Sequence, residues 1–256
     1  MGYLFMILLS AVFYWLKMPK AYLNWSSGKD AAYTLYKIQK EKEFRVEKLV
    51  TTINSEDNRI SMHGVQKSLL LKQVESLEIP LHIIPFEGGL PLKAYEGVLK
   101  THINILKAEG FTHSIFGDIF LEDLRLYRET QLQKVEIQAV FPLWKMNSAN
   151  LIREIINVGF KAVTVSVNAR LLDKSFCGRT IDENFLNDLP AYVDPCGENG
   201  EFHTFVYDGP NFKFPVDFKL GKTTKKIFTT GNKNSGSTSK KESWDSAFWY
   251  CDLLPV

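Results

Sequence analysis

Ser26-Ser27-Gly28-Lys29-Asp30 brings together residue types that can hold an anion. Small hydroxyl residues and a glycine let backbone N–H groups turn inward, and a helix starting there aims its positive end at the same point. An apolar strand (Tyr22 to Trp25) precedes the cluster and a helix-forming segment, 29–42, follows it. The cluster is not the phosphate loop G-x-x-x-x-G-K-[ST], because Leu23 stands at its first glycine and Asp30 follows the lysine. Taken alone, these five residues read equally well as a helix start after a strand.

A second chemically loaded segment is 194–213, DPCGENGEFHTFVYDGPNFK. Cys196, Glu198, Glu201 and His203 share a turn whose glycines, Gly197 and Gly200, let side chains converge. Carboxylates and an imidazole at one point could move protons. A solvated turn with incidental acids is the competing reading.

The intervening chain has to position these two segments. Strand patterns at 44–54, 81–86, 112–117 and 135–142 alternate with helical patterns at 63–77, 92–109 and 121–133. With the first strand this predicts an α/β fold: a doubly wound, mostly parallel five-stranded sheet with helices on both faces. Ligands of such sheets bind beyond the carboxyl ends of the strands. Residues 26–30, Thr52 to Asn54 and Gly117-Asp118 all fall on that rim.

The pattern changes near 147. A helix (150–158) and a strand (160–167) lead into an irregular region, with a β-hairpin expected over 202–218 and a mobile loop over 230–242. The terminal WDSAFWYCDLL is expected to return as an edge strand. The expected division is an apolar leader (1–17), an α/β domain carrying the anion-holding loop (18–146) and a smaller C-terminal α+β lobe (147–256).

Composition narrows the function classes. A formal charge of +2 over 256 residues gives no reason to expect nucleic acid as an electrostatic partner. Three cysteines with no C-x-x-C argue against a disulfide framework or zinc ribbon and fit a reducing compartment, so a cytoplasmic location is expected. The run MGYLFMILLSAVFYWL spans only roughly 24 Å as a helix, against a hydrocarbon core of about 30 Å. It reads as translated leader ahead of a start at Met18; a membrane anchor or a signal segment are the alternatives.

The two segments together resemble the diphthine–ammonia ligase family, a branch of the N-type ATP pyrophosphatases (the PP-loop superfamily). Its members pair S-G-G-K-D-S with C-G-E-G-G-E-[FY]-E-T-F and D-x-P-x-F-K. The counterparts here are Ser26 to Ala31, Cys196 to Phe205, and Asp208, Pro210, Phe212 and Lys213. Gly117, Arg125 and Glu129 match G-A-I…R-x-x-x-E, and Pro142-Leu143-Trp144 matches P-L-W. Asn199, His203 and Asp118 depart from the pattern, replacing glycine, glutamate and alanine.

The resemblance implies ATP and Mg²⁺ as cofactors and an AMP-forming ligase. A carboxylate is activated as its acyl-adenylate, and ammonia or an amine then displaces AMP; the acceptor carboxylate stays open. It implies nucleotide binding by Ser26, Ser27, Gly28, Lys29, Asp30, Thr52, Asn54, His63, Gly117 and Asp118, with Asp30 as a Mg²⁺ ligand or the N-cap carboxylate of the helix. Lys29, Asp30, Glu198, Glu201 and His203 are the implied catalytic set, the turn at 197–204 serving the acceptor step separately from the phosphate loop. A non-catalytic ATP-binding sensor and a sulfur-transferring tRNA enzyme are the alternative readings.

Overall fold

The computed structural model describes residues 15, 17–61, 63–228 and 246–256. The apolar leader, apart from Trp15 and Lys17, and the 230–242 loop lie outside the described residues. Among the described residues no helix is long and apolar enough to cross a membrane.

Five parallel strands form the first sheet in the order β4 (Leu81–Phe86), β2 (Arg45–Asn54), β1 (Lys20–Asn24), β5 (His113–Ile115), β6 (Gln138–Val140). β1 is central, and its side chains show why helices must cover both faces. Ala21, Leu23 and Trp25 enter one core with residues of α1 (Lys29–Glu41) and α2 (Lys67–Leu77). Tyr22 enters the other, with Leu106 of α3 (Leu92–Ala108) and Leu132 of α4 (Glu122–Gln133). Period-two alternation in a strand buried on both sides leaves no polar face. Each fully buried Leu or Ile contributes roughly 1.5–3 kcal/mol.

The five expected strands are present with a sixth added. Residues 55–58 close a small hairpin, so that β3 (Arg59–Ile60) pairs antiparallel with Ile53 and Asn54. The same hairpin delays the next helix. Gly64 takes φ +67 and Gln66 bridges back to Arg59, so α2 starts at Lys67 and leaves His63 in a turn.

The C-terminal half builds a four-stranded antiparallel sheet on the same core. After α5 (Ser148–Val158), capped by Asn147 and stopped by Gly159 at φ +100, come β7 (Lys161–Asn168), α6 (Glu183–Asp188), β8 (Phe202–Asp208), β9 (Phe218–Phe228) and β10 (Ser246–Pro255). Their order is β8-β7-β10-β9. Two expectations are corrected here. The 202–218 segment is not a hairpin: β8 pairs with β7, and past the Gly209 turn a bond from the Val216 N–H to the Tyr207 carbonyl (2.7 Å) is the link back to β8. The terminal strand is not at an edge. β10 lies between β7 and β9, and the lysine-rich β9 forms the edge, where unpaired backbone is best guarded by charge.

Hydrophobic packing is continuous between the halves. Leu23, Trp25 and Leu35 share one core with Val163, Val167, Phe202 and Phe205.

Candidate active site

The strand-to-helix turn after β1 is built as an open cradle. Trp25 ends the strand with its N–H on the Val50 carbonyl (2.8 Å), and Ser27 takes φ +68. That left-handed conformation is unusual for a side-chain-bearing residue and stores strain at the turn. Gly28 stands at the N-cap of α1 and has no side chain of its own to cap the helix. First-turn helix amides have no carbonyl four residues back, so this end is primed for a ligand.

β8, from the far end of the sequence, clasps this loop. The Lys29 N–H donates to Thr204 Oγ1 (3.1 Å), and the Val206 N–H donates to the Ser27 carbonyl (2.9 Å). Lys29 Nζ donates to both Asp30 carboxylate oxygens (3.1 and 2.9 Å) and to the Cys196 carbonyl, and it lies 5.4 Å from the Phe202 ring centre. The side chain is almost wholly buried. Burial, the largest single influence, would lower an ammonium pKa, but Asp30, Cys196 and Glu198 together outweigh it and the net shift is upward. Lys29 is therefore a fixed positive charge.

Glu198 reaches the same rim. Its Oε1 accepts the N–H groups of Ile119 (2.7 Å) and Phe120 (3.3 Å), just past β5. Burial pushes its pKa up to about 7; the Ile119 bond opposes that and the Asp30 charge adds to it. Asp118 pairs with Arg128 (2.8 Å), and burial raises its pKa despite that partner. The imidazoles of His63 and His203 stand 4.7 Å apart, centre to centre. Burial and the Lys29 charge hold His203 at about 4; burial, then His203 and Lys29, hold His63 well below its usual value. Both rings are neutral at neutral pH.

Several expected site residues have other duties. Glu201 is buried and faces into its own turn, accepting from the Asp194 N–H (3.1 Å), the Asn199 N–H (2.9 Å) and Asn199 Nδ2 (3.0 Å). It shapes the turn that presents Glu198 and the Cys196 carbonyl. Asn54 caps its local turn through Glu56 (2.9 Å). Thr52 alternates away from Thr51, whose hydroxyl donates to the Trp25 carbonyl (2.7 Å). At Gly117 a Cβ would lie 3.0 Å from the Asp30 carbonyl carbon and 3.1 Å from Thr34 Oγ1, so the glycine is needed for close packing under α1. Arg125 bonds Glu129 (2.7 Å) and stacks on Phe141 and Trp144. Cys196 is a poor nucleophile because burial pushes its thiol up against the pull of Lys29.

The turn and the loop are adjacent, because the Cys196 carbonyl of the turn accepts from Lys29 Nζ. Gln73 was missed. It accepts from the Trp25 indole (3.0 Å) and donates to the Ser27 (3.2 Å) and Val206 (2.6 Å) carbonyls. The signal was a glutamine in line with Leu69, Leu70 and Leu77 on the buried face of α2.

Two polar atoms of the cradle have no protein partner. Ser27 Oγ and His63 Nδ1 are both buried and unbonded, and a Cβ at Gly28 would come within 3.1 Å of His63 Nε2 and 3.3 Å of the Thr204 carbonyl oxygen. Bare, narrow and positively framed, the cradle fits a phosphate group. Among the described residues no group of three or more His, Cys, Asp or Glu could hold a metal on its own. Asp30, part-exposed and a hard oxygen donor, fits one corner of a Mg²⁺ that keeps its waters and phosphates.

Family models of the diphthamide synthase N-terminal domain and C-terminal domain match residues 19–138 and 147–248. The chain belongs to the diphthamide synthase family. Among curated relatives, the diphthine–ammonia ligase of Homo sapiens is 34% identical over 102 residues, which is 38% of each chain. That of Mus musculus is 36% identical over 90 residues, covering 33% of this chain and 34% of its own. That of Schizosaccharomyces pombe is 26% identical over 98 residues, 35% and 16% of the two chains. The match thus spans 38% of the length of the human relative. A solved U34-tRNA thiolase, NcsA from Methanococcus maripaludis with its 4Fe-4S cluster, aligns over 55% of this chain and 57% of that one. Its identity is 16% and its TM-score 0.34.

Proposed function

We propose that this protein is an ATP-dependent, AMP-forming carbon–nitrogen ligase of the diphthine–ammonia ligase type. The observation that carries this reading is the Lys29 ammonium fixed between Asp30 and the Cys196 carbonyl, at a helix N-terminus with two orphaned polar atoms. Family membership supports it.

The Ser27 hydroxyl and the α1 amides that follow Lys29, whose own N–H is held by Thr204, bind the leaving pyrophosphate, and the Lys29 ammonium balances the charge that builds on it. Asp30 would help hold Mg²⁺, which neutralises phosphate charge when it arrives with ATP. The acceptor carboxylate attacks the α-phosphorus and becomes the acyl-adenylate; ammonia or an amine then displaces AMP. Glu198, at about 7, can take the proton that the attacking nitrogen releases. Neutral His63 and His203 give the site hydrogen-bonding walls without added charge. The acceptor is a carboxylate whose identity the relatives' name, diphthine, suggests as the first to test.

Incubating purified protein with ATP, Mg²⁺, ammonium and diphthine-bearing elongation factor 2 tests the reading. AMP and pyrophosphate are expected, in step with amide formation. ADP as product would exclude it.

A further inference from the structure

Cys177 and Cys251 lie away from the phosphate loop, and no step of the proposed reaction uses them. Cys177 follows the 3-10 turn Lys174–Phe176, and Cys251 sits on β10. Cys177 Sγ lies 3.6 Å from the Val165 carbonyl oxygen and 3.5 Å from that of Trp249, on the seam between β7 and β10. Cys251 Sγ points at the same place, since a Cβ on Gly178 would lie only 3.1 Å from it. The two thiols are close enough to act on each other: Cys177 holds Cys251 below the usual thiol range, and Cys251, with burial, holds Cys177 above it. Cys177 is half-buried and reachable, whereas Cys251 is buried beside it.

We propose that Cys177 and Cys251 form a paired oxidative modification site, where a small peroxide converts the two thiols into a disulfide across the β7–β10 seam. Cys251, as thiolate, attacks one peroxide oxygen; the O–O bond breaks, hydroxide leaves, and sulfur is oxidised to a sulfenic acid. Cys177 sulfur then attacks that sulfur, forming the S–S bond and releasing the hydroxyl with the thiol proton as water. Two thiols and one hydrogen peroxide give one disulfide and two waters. Cys196 is no competitor, with its thiol directed to the Ser148 carbonyl (3.3 Å) and its pKa pushed up by burial.

The bond would be felt at the phosphate loop. Asp252, next to Cys251, accepts from Arg59 Nη1 (2.8 Å) and Gln66 Nε2 (3.3 Å), and a Cβ at Gly64 would meet the Tyr250 ring at 3.3 Å. Arg59, Gly64 and Gln66 frame the turn that presents His63 to Gly28.

The proposal does not depend on the ligase reading, because its readout is covalent. The full chain is treated with hydrogen peroxide under native conditions, its remaining thiols are blocked with iodoacetamide, and peptides are mapped without reductant. One intramolecular cross-link joining the Cys177 and Cys251 peptides is expected, with Cys196 still alkylated and full reversal by dithiothreitol. The oxidised protein should melt at a higher temperature, because the bond closes a long loop in the unfolded chain. In Cys177→Ser, dimedone present while the peroxide-treated protein is unfolded in urea should capture a sulfenic acid at the buried Cys251, and no cross-link should form. A cross-link through Cys196, an equal yield of the Cys177–Cys251 link in urea, or native wild type halting at sulfenic acid would overturn the proposal.

Discussion

The backbone N–H of Lys29 donates to Thr204 Oγ1 across 3.1 Å and 175 positions of sequence. The phosphate loop is thereby completed by a strand from the other half of the chain. Thr204→Val keeps the shape and removes the acceptor, leaving a buried donor unsatisfied at a cost of about 1–3 kcal/mol. ATP binding measured by calorimetry should weaken at least threefold, with the circular dichroism spectrum unchanged. An unaltered affinity would show that the clasp holds the fold and not the loop.

Lys29→Met retains most of the buried stem and deletes the charge. Turnover should fall at least tenfold, about 1.4 kcal/mol of barrier. The fall should appear in kcat more than in KM, because charge on pyrophosphate grows towards the transition state. Asp30→Asn leaves Lys29 bonded to the Cys196 carbonyl and should show a milder loss in the same assay.

At Gly117→Ala, the new methyl would meet main-chain atoms of Asp30 at 3.0–3.1 Å. Main chain cannot rotate aside, so α1 must shift; overpacking of this kind typically costs about 1–3 kcal/mol. Thermal melting should drop by several degrees, and ATP affinity should fall with it because the shifted turn carries Asp30.

The parallel sheet was legible because β1 and β4 are short apolar runs and β2 is rich in β-branched residues, each punctuated by a helix, and that alternation leaves few topologies open. The C-terminal sheet was not, because its order depends on which distant strand fills the place beside β7. Nothing local to WDSAFWYCDLL distinguishes an interior strand from an edge. In the site, Lys29 and Glu198 were legible from residue type, whereas the inward turn of Glu201 depends on backbone donors at Asp194 and Asn199 that no spacing rule exposes. Gln73 was visible as one polar residue on an apolar stripe, but its three partners lie on β1, the loop and β8.

Glu198 and His203 should give the protein opposing pH dependences. Glu198 titrates near its usual 4.5 when unfolded and about 7 when folded. Between those values the native state holds the extra proton, so this residue's contribution to stability declines as pH rises through the window. His203 does the reverse: at about 4 folded against 6.5 unfolded, it costs stability as pH falls from 6.5 towards 4. Glu198→Gln should therefore stabilise the protein at pH 8 by on the order of 1–3 kcal/mol and change little at pH 4. His203→Asn should blunt the acid loss between pH 6.5 and 4. Urea melts at pH 4, 6 and 8 separate the two. Where Glu198 accepts the proton from the attacking nitrogen, wild-type kcat should climb through a midpoint near pH 7 that Glu198→Gln abolishes. A midpoint that persists in the variant would assign the proton transfer to another group while leaving the stability result intact.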